Sequence, residues 1–309
     1  FARIFFQIGL ANEFLRETTD EKLSSRGVSG DLKNQIKTFR AEARFLRALS
    51  YYHAIDLYGR IPFATESDVI GSGVKPSVQS REYVFNYLLG ELNEIDGDLA
   101  APKTNEYGRA DKAAAWMLKA KLYQNAKVYT GADKSTEALA EITKVIGTPY
   151  KVATIPYANL FKADNNTNGA QDEAIFPITF DGIKTKTYGG TTFLIHASCT
   201  NAVAATLGVD AGWAGFRTRQ EFIQSTGNDA RVMKVVGTAD PVTISDYAKF
   251  EEGAKLIKFS NKTAAGASGS DGTFTDADFA LFRMGDAYLM YAELAIVNGK
   301  GSTATALGS

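Results

Sequence analysis

The sequence predicts a mainly α-helical protein in which helical hairpins support a loop-rich region with a few short strands. Three observations lead there. Apolar residues recur at helical spacing through most of the first 148 positions, Gly, Asn, Asp and Thr become frequent after Pro149, and a helical pattern returns from about residue 284. The boundaries that follow are a helical scaffold over 1–148, a loop-rich ligand-binding region over 149–283 and a returning scaffold helix over 284–309, together one interleaved domain.

The opening stretch FARIFFQIGLANEFLRETTDEK lacks the basic start and small-residue cleavage site of a signal peptide, and its charges from Glu13 onward interrupt any membrane span. From Lys37 to Tyr58, Ala41, Phe45, Ala48, Tyr52 and Ile55 fall on one helical stripe, with Phe39, Ala43 and Leu46 beside it. Such a helix packs on two sides. Gly59 suits its C-terminal end and Pro62 prevents its continuation, before a polar, Gly-containing loop over 64–78. Further helices are expected at about 81–96, 110–129 and 135–146, the last with Ser135 as its cap.

Ala48 and Tyr51 recur as Ala120 and Tyr123, with Trp116 one turn before. This small-then-aromatic spacing fits the first helix of a tetratricopeptide repeat, where the small residue admits the partner helix and the aromatic fills the space beside it. Arg40, Arg44 and Arg47 form a basic stripe on the long helix. They can grip anions or pair with carboxylates of neighbouring helices, and packing is the favoured reading. Beyond Pro149, EAIFPITF and GAKLIKFSN read as strands and FRTRQEFIQS as a short helix. GDAYLMYAELAIVNG then restores the helical layer, and the stretch GKGSTATALGS after it adds no packed element, so both ends read as cuts through a longer protein.

Composition narrows the chemistry. Among 309 residues, 34 Lys and Arg balance 35 Asp and Glu, which implies no basic face for nucleic acid. The single cysteine, Cys199, excludes an internal disulfide framework and any multi-cysteine zinc site. His53 lies inside the long helix, where a packed histidine is expected, and neither it nor His196 stands in a zinc-binding spacing. His196 and Cys199 are set aside as a nucleophile pair because FLIHASC reads as buried and no orienting Asn or Asp is identifiable. Phosphate-cradling glycine loops are absent. Asp164, Asn165, Asn166, Asp172 and Glu173 can supply oxygen ligands to calcium, but without EF-hand spacing turn chemistry is the reading preferred. No catalytic residue, metal ligand or required cofactor is assigned.

Two aromatics stand out instead. Tyr188 in KTYGG precedes two glycines, and Trp213 in VDAGWAGFR lies between Gly212 and an Ala-Gly pair. Glycine either lets such rings tuck into the fold or leaves their faces bare for use, and pattern alone keeps both readings open. As a platform, each ring would cover about 100 Å² of a sugar's apolar face, on the order of 2 kcal/mol before ordering costs.

The run AEARFLRALSYYHAIDLYGRIPF, with AYLMYAELAIVNGKG much later, resembles the SusD/RagB family of Bacteroidetes outer-membrane glycan-binding lipoproteins. DGIKTKTYGGTTFLIHAS and GVDAGWAGFR resemble its starch-binding members. The resemblance implies tetratricopeptide-like hairpins under a loop-rich ligand face. It implies a non-catalytic, lipid-anchored cell-surface protein that captures starch or maltooligosaccharide and delivers it to a TonB-dependent SusC-type transporter. It places Tyr188 and Trp213 in an aromatic arc that follows an α-glucan, and puts a third aromatic and the lipidated cysteine in a segment before this sequence. Lys186, Asp210 and Arg217 are named as hydroxyl partners from proximity alone. The competing expectation is a helical-repeat scaffold that binds only protein, with both rings buried.

Overall fold

The computed structural model describes residues 1–68, 71, 73–226, 229, 231, 233–235, 243–250 and 252–303. Residues 69, 70 and 72 of the predicted loop and 304–309 of the terminal stretch therefore lie outside the described residues. The chain divides into two compact units, Phe1–Lys151 with the segment from Met284 onward, and Val152–Arg283. Among the described residues the structure is mainly helical, with only short strands, and no helix is long and apolar enough to cross a membrane.

The first unit runs α1 (Ala2–Glu17), α2 (Asp20–Ser25), α3 (Gly30–Tyr58), a two-residue pairing of β1 (Ile61–Pro62) with β2 (Val78–Gln79), α4 (Arg81–Glu94), α5 (Lys112–Gln124), α6 (Ala126–Thr130) and α7 (Ser135–Ile146). A returning helix, Met284–Ile296, packs on α7, while α1 and α4 pack on α3 and α5 packs on α7. The periodicity from Lys37 describes only the later part of α3, and α1 and α2 are not in the sequence-based reading. Their presence changes which face of α3 is covered. Tyr51, not Tyr52, is fully buried beside Ala41, Phe45, Ala48 and Ile55, because α1 supplies a wall on that side, with Phe5 edge-on to Tyr51 at 6.5 Å. The Tyr51 hydroxyl donates to the Ala64 carbonyl at 2.7 Å and accepts from the Ala64 N–H at 2.9 Å, tying down the start of the loop after β1.

Gly59 closes α3 at φ 77°, its N–H donating to the Ile55 carbonyl. The helix predicted over 110–129 is two helices, broken at Asn125 where φ −95° and ψ 5° leave the helical ladder. Ser135 does not cap α7. The Asp133 carboxylate accepts the Ser135 N–H at 2.9 Å and its hydroxyl as well, a longer reach that the capping rule for Ser135 overlooks.

The arginine stripe binds helices together. Arg44 pairs with Glu91 and Glu94 of α4, and Arg47, 1% exposed, pairs with Glu91 and Glu66 and donates to Asn12 of α1. Arg40 departs from the expected carboxylate pairing and donates to the Leu15 carbonyl and the Thr18 hydroxyl, where α1 ends.

In the second unit β3 (Ala174–Ile178) pairs antiparallel with β6 (Phe279–Arg283), and β4 (Met233–Val235) with β5 (Lys255–Ile257). Short helices α8 (Gly190–Ala197), α9 (Asn201–Ala204) and α10 (Gln220–Thr226) lie between. Phe161, Ile195, Cys199, Leu207, Val209, Ile257 and Phe259 form its apolar core. With few ladders to satisfy backbone groups, buried amides do so instead. Asn261 donates to the Gly208 and Asp271 carbonyls, and Asn165 donates to the Leu160 and Asp278 carbonyls while accepting the Asp278 N–H.

Candidate functional site

The site is built from α8 outward. Its first residue, Gly190, adopts φ +59°, and a Cβ there would fall 2.1 Å from Phe180 Cζ, so only glycine lets the chain turn from the Tyr188 segment into the helix against that ring. At the other end of α8 the terminal carbonyls lack helical partners. The segment 213–216 supplies them: Trp213 N–H donates to the His196 carbonyl at 2.7 Å, Ala214 N–H to Cys199 at 3.0 Å and Phe216 N–H to Ala197 at 2.7 Å. Gly212 makes this docking possible, since a Cβ there would lie 2.3 Å from the Thr200 carbonyl carbon and 2.6 Å from the Cys199 oxygen. These two glycines therefore serve backbone and ring approach.

The result is an aromatic cluster. Tyr188, 66% exposed, stands 6.1 Å from Trp213 with ring planes inclined by 48°. Phe274 lies 5.2 Å from Tyr188 on one side, and Phe193 of α8, itself exposed, lies 6.4 Å from Trp213 on the other. Sequence reading passes over both phenylalanines. Phe193 falls five residues after Tyr188 and is within reach of a sequence reading that recognises α8, whereas Phe274 comes from a distant turn. Beneath Trp213 the ring of His196 is stacked at 4.4 Å and 19°, fully buried. Its Nδ1 is 2.7 Å from the Ala211 carbonyl oxygen and its Nε2 is 2.9 Å from that of Thr273.

The polar residues named from proximity divide. Lys186 is exposed, two residues before Tyr188, with its charge near Asp271. Asp210 is exposed and accepts the Thr273 hydroxyl, joining the Trp213 segment to the Phe274 turn. Arg217 is half-buried, and its guanidinium donates to the carbonyls of Tyr247, Lys249 and Glu252, pinning that segment. Asp271 closes the Phe274 turn by accepting the N–H groups of Phe274 and Thr273, which hold its carboxyl below the usual carboxylate range.

Other candidate chemistry is occupied. Burial pushes the Cys199 thiol up to about 11, and its Sγ faces the His196 backbone carbonyl, not the ring. Asp164 accepts from Asn168 and from the Ala264 N–H, and Glu173 pairs with Arg283 and accepts the Ala153 N–H, so both serve turns and packing. Among the described residues no three or more His, Cys, Asp and Glu side chains gather to hold a metal. A concavity of about 410 Å³ in the first unit is lined by Lys33, Lys37, Arg40 and Arg44. Each of these cations already has an oxygen partner, the first two on Asp20 and Asp98.

Comparison with known proteins supplies the context. Residues 178–307, which include the whole aromatic cluster, match the model of the SusD family. The starch-binding protein SusD of Bacteroides thetaiotaomicron is 33% identical over 315 aligned positions, covering 85% of this chain and 56% of that protein. The chain belongs to the SusD/RagB family. It spans about half the length of that SusD relative. The fold agrees: a laminarin-binding SusD-like protein superimposes with a TM-score of 0.73 at 20% identity, over 99% of this chain and 68% of that one. Surface glycan-binding protein A of Bacteroides uniformis gives 0.68 at 20% identity, over 97% and 61%. The two SusD-like regions quoted from the sequence, around Tyr188 and Trp213, are the ones that α8 brings together.

Proposed function

We propose that this chain carries the ligand site of a non-catalytic, cell-surface glycan-binding protein whose ligand is starch or a maltooligosaccharide. The observation that carries the reading is the pair Tyr188 and Trp213, two largely apolar faces 6.1 Å apart and inclined by 48°. Rings in one plane suit a flat β-linked chain. Inclined rings suit a chain that turns between successive sugars, as an α-linked glucan does. The name of the Bacteroides relative, a starch-binding protein, supports the same ligand class. Lys186 and Asp210 are exposed at the cluster and supply a donor and an acceptor for hydroxyls. Arg217, committed to three carbonyls, serves in this reading by holding its segment in place. The loop-rich region over 149–283 carries the ligand, and the proposal invokes no cofactor.

Two further parts of the reading come from family membership: a lipid anchor at the outer membrane and delivery to a TonB-dependent SusC-type transporter. Co-purification of the full-length protein with such a transporter from membranes tests the second. For the ligand, Trp213→Ala is expected to weaken maltoheptaose binding in calorimetry by roughly 10- to 30-fold, the equivalent of about 1.4–2 kcal/mol for one stacked ring, with the variant still folded in thermal melts although its midpoint is lower for the loss of the contact on His196. Equal affinity in the variant and the parent would refute the assignment. Incubation with starch is expected to release no reducing ends.

A further inference from the structure

His196 sits under the aromatic pair, fully buried, with no role in the site as described so far. A neutral imidazole carries one N–H and one lone pair. Here both ring nitrogens point at carbonyl oxygens, Ala211 at 2.7 Å and Thr273 at 2.9 Å. A carbonyl oxygen only accepts, so a neutral ring would set one nitrogen lone pair against an oxygen lone pair in a buried place, whichever tautomer it took. With both nitrogens protonated, both contacts become charge-assisted hydrogen bonds. The indole of Trp213, stacked on the ring at 4.4 Å, then meets a cation across its π face.

We propose that His196 is the positioning residue of the aromatic platform and acts as an imidazolium. Its two N–H groups join the segment that carries Trp213, through Ala211, to the turn that carries Phe274, through Thr273, and Phe274 in turn packs on Tyr188. A ring with one proton makes only one of these ties, so the platform keeps its geometry, and with it its glycan affinity, only while both nitrogens carry hydrogen. The charged groups facing this arrangement are Asp210 on the Trp213 segment, Asp271 on the Thr273 turn, and Lys186 near Asp271. Cys199, on the histidine's own segment, is an uncharged thiol.

The inference rests on the glycan reading for its consequence but not for its chemistry, and the test separates the two. The chain has two histidines, so long-range proton–nitrogen NMR of the full chain, assigned with His53→Asn, reports the protonation of both His196 nitrogens directly. Two protonated nitrogens are expected at about pH 6, and maltoheptaose affinity in calorimetry is expected to be at least fivefold lower at any higher pH at which the spectra show one ring nitrogen bare. His196→Gln, which keeps an N–H donor for only one carbonyl, is expected to bind more weakly and without that pH profile while remaining folded in thermal melts. One bare ring nitrogen at pH 6 would overturn the proposal, as would a parental pH profile retained in His196→Gln. If maltoheptaose binds at no pH, the ligand reading fails, and the NMR result still decides the state of His196.

Discussion

At Gly212 the chain passes so near the end of α8 that a single methyl group decides whether Trp213 reaches its place. A Cβ there would overlap the Thr200 and Cys199 backbone, neither of which can yield without breaking the carbonyl contacts that hold the segment. Gly212→Ala is therefore expected to cost about 1–3 kcal/mol, the usual penalty of overpacking, and to lower maltoheptaose affinity together with stability. Gly215, three residues on, has nothing within 4 Å of its hypothetical Cβ. Gly215→Ala is the matching control, and it should leave urea denaturation and binding near the parent. Were both alanine variants to behave alike, close approach at Gly212 would not be what positions the indole. The two glycines flanking Trp213 look equivalent in the sequence, and only the coordinates separate them.

Among the elements, α3 and α4 show how a basic stripe becomes structure. Arg47 is enclosed by α1, α4 and Tyr87, with its charge answered by Glu91 and Glu66. Removing one partner of such a pair leaves the other buried and uncompensated, and Arg47→Ala is expected to destabilise by about 3–5 kcal/mol in urea unfolding. Glu91 also links this network to pH. Burial pushes its carboxyl up, but the hydrogen bond from Arg44 and the charge of Arg47 outweigh burial and hold it below the usual range. A carboxyl lowered in the fold contributes stability that is present above its unfolded pKa and lost as pH falls through the folded one. The unfolding midpoint should therefore drop as pH goes below about 4, and Glu91→Gln should flatten that part of the profile. The stripe itself, Arg40, Arg44 and Arg47, is legible from spacing. The partner of each arginine is not, and Arg40 shows why: its acceptors are the Leu15 carbonyl and the Thr18 hydroxyl, at the end of a helix that the sequence reading does not contain.

Across the whole molecule, the site proposed above, two rings and a few polar groups, would be a weak one, roughly micromolar to millimolar for a short oligosaccharide. A polymer that touches many copies on one surface turns this into retention. Protein immobilised at high density is expected to hold long α-glucan 10²- to 10⁴-fold more tightly than the free protein binds maltoheptaose. A sparse surface should lose that gain, and equal retention at both densities would show that a single copy suffices.

The sequence by itself determined the helical character of the chain, the later part of α3 and the span of α7, and it singled out Tyr188 and Trp213 as candidates, because periodicity, flanking glycines and the family motifs are local properties. It left α1, α2 and α8 unread. In α8 the apolar run TTFLIHA is buried along most of its length, which erases the one-sided pattern that marks a surface helix. The tertiary structure alone decided that Tyr188 and Trp213 stand together, that Phe274 joins them, and that His196 lies beneath. The reason is distance along the chain. The two carbonyls that meet the His196 ring come from residues 15 and 77 positions away, and contacts at such separations are set by how segments pack.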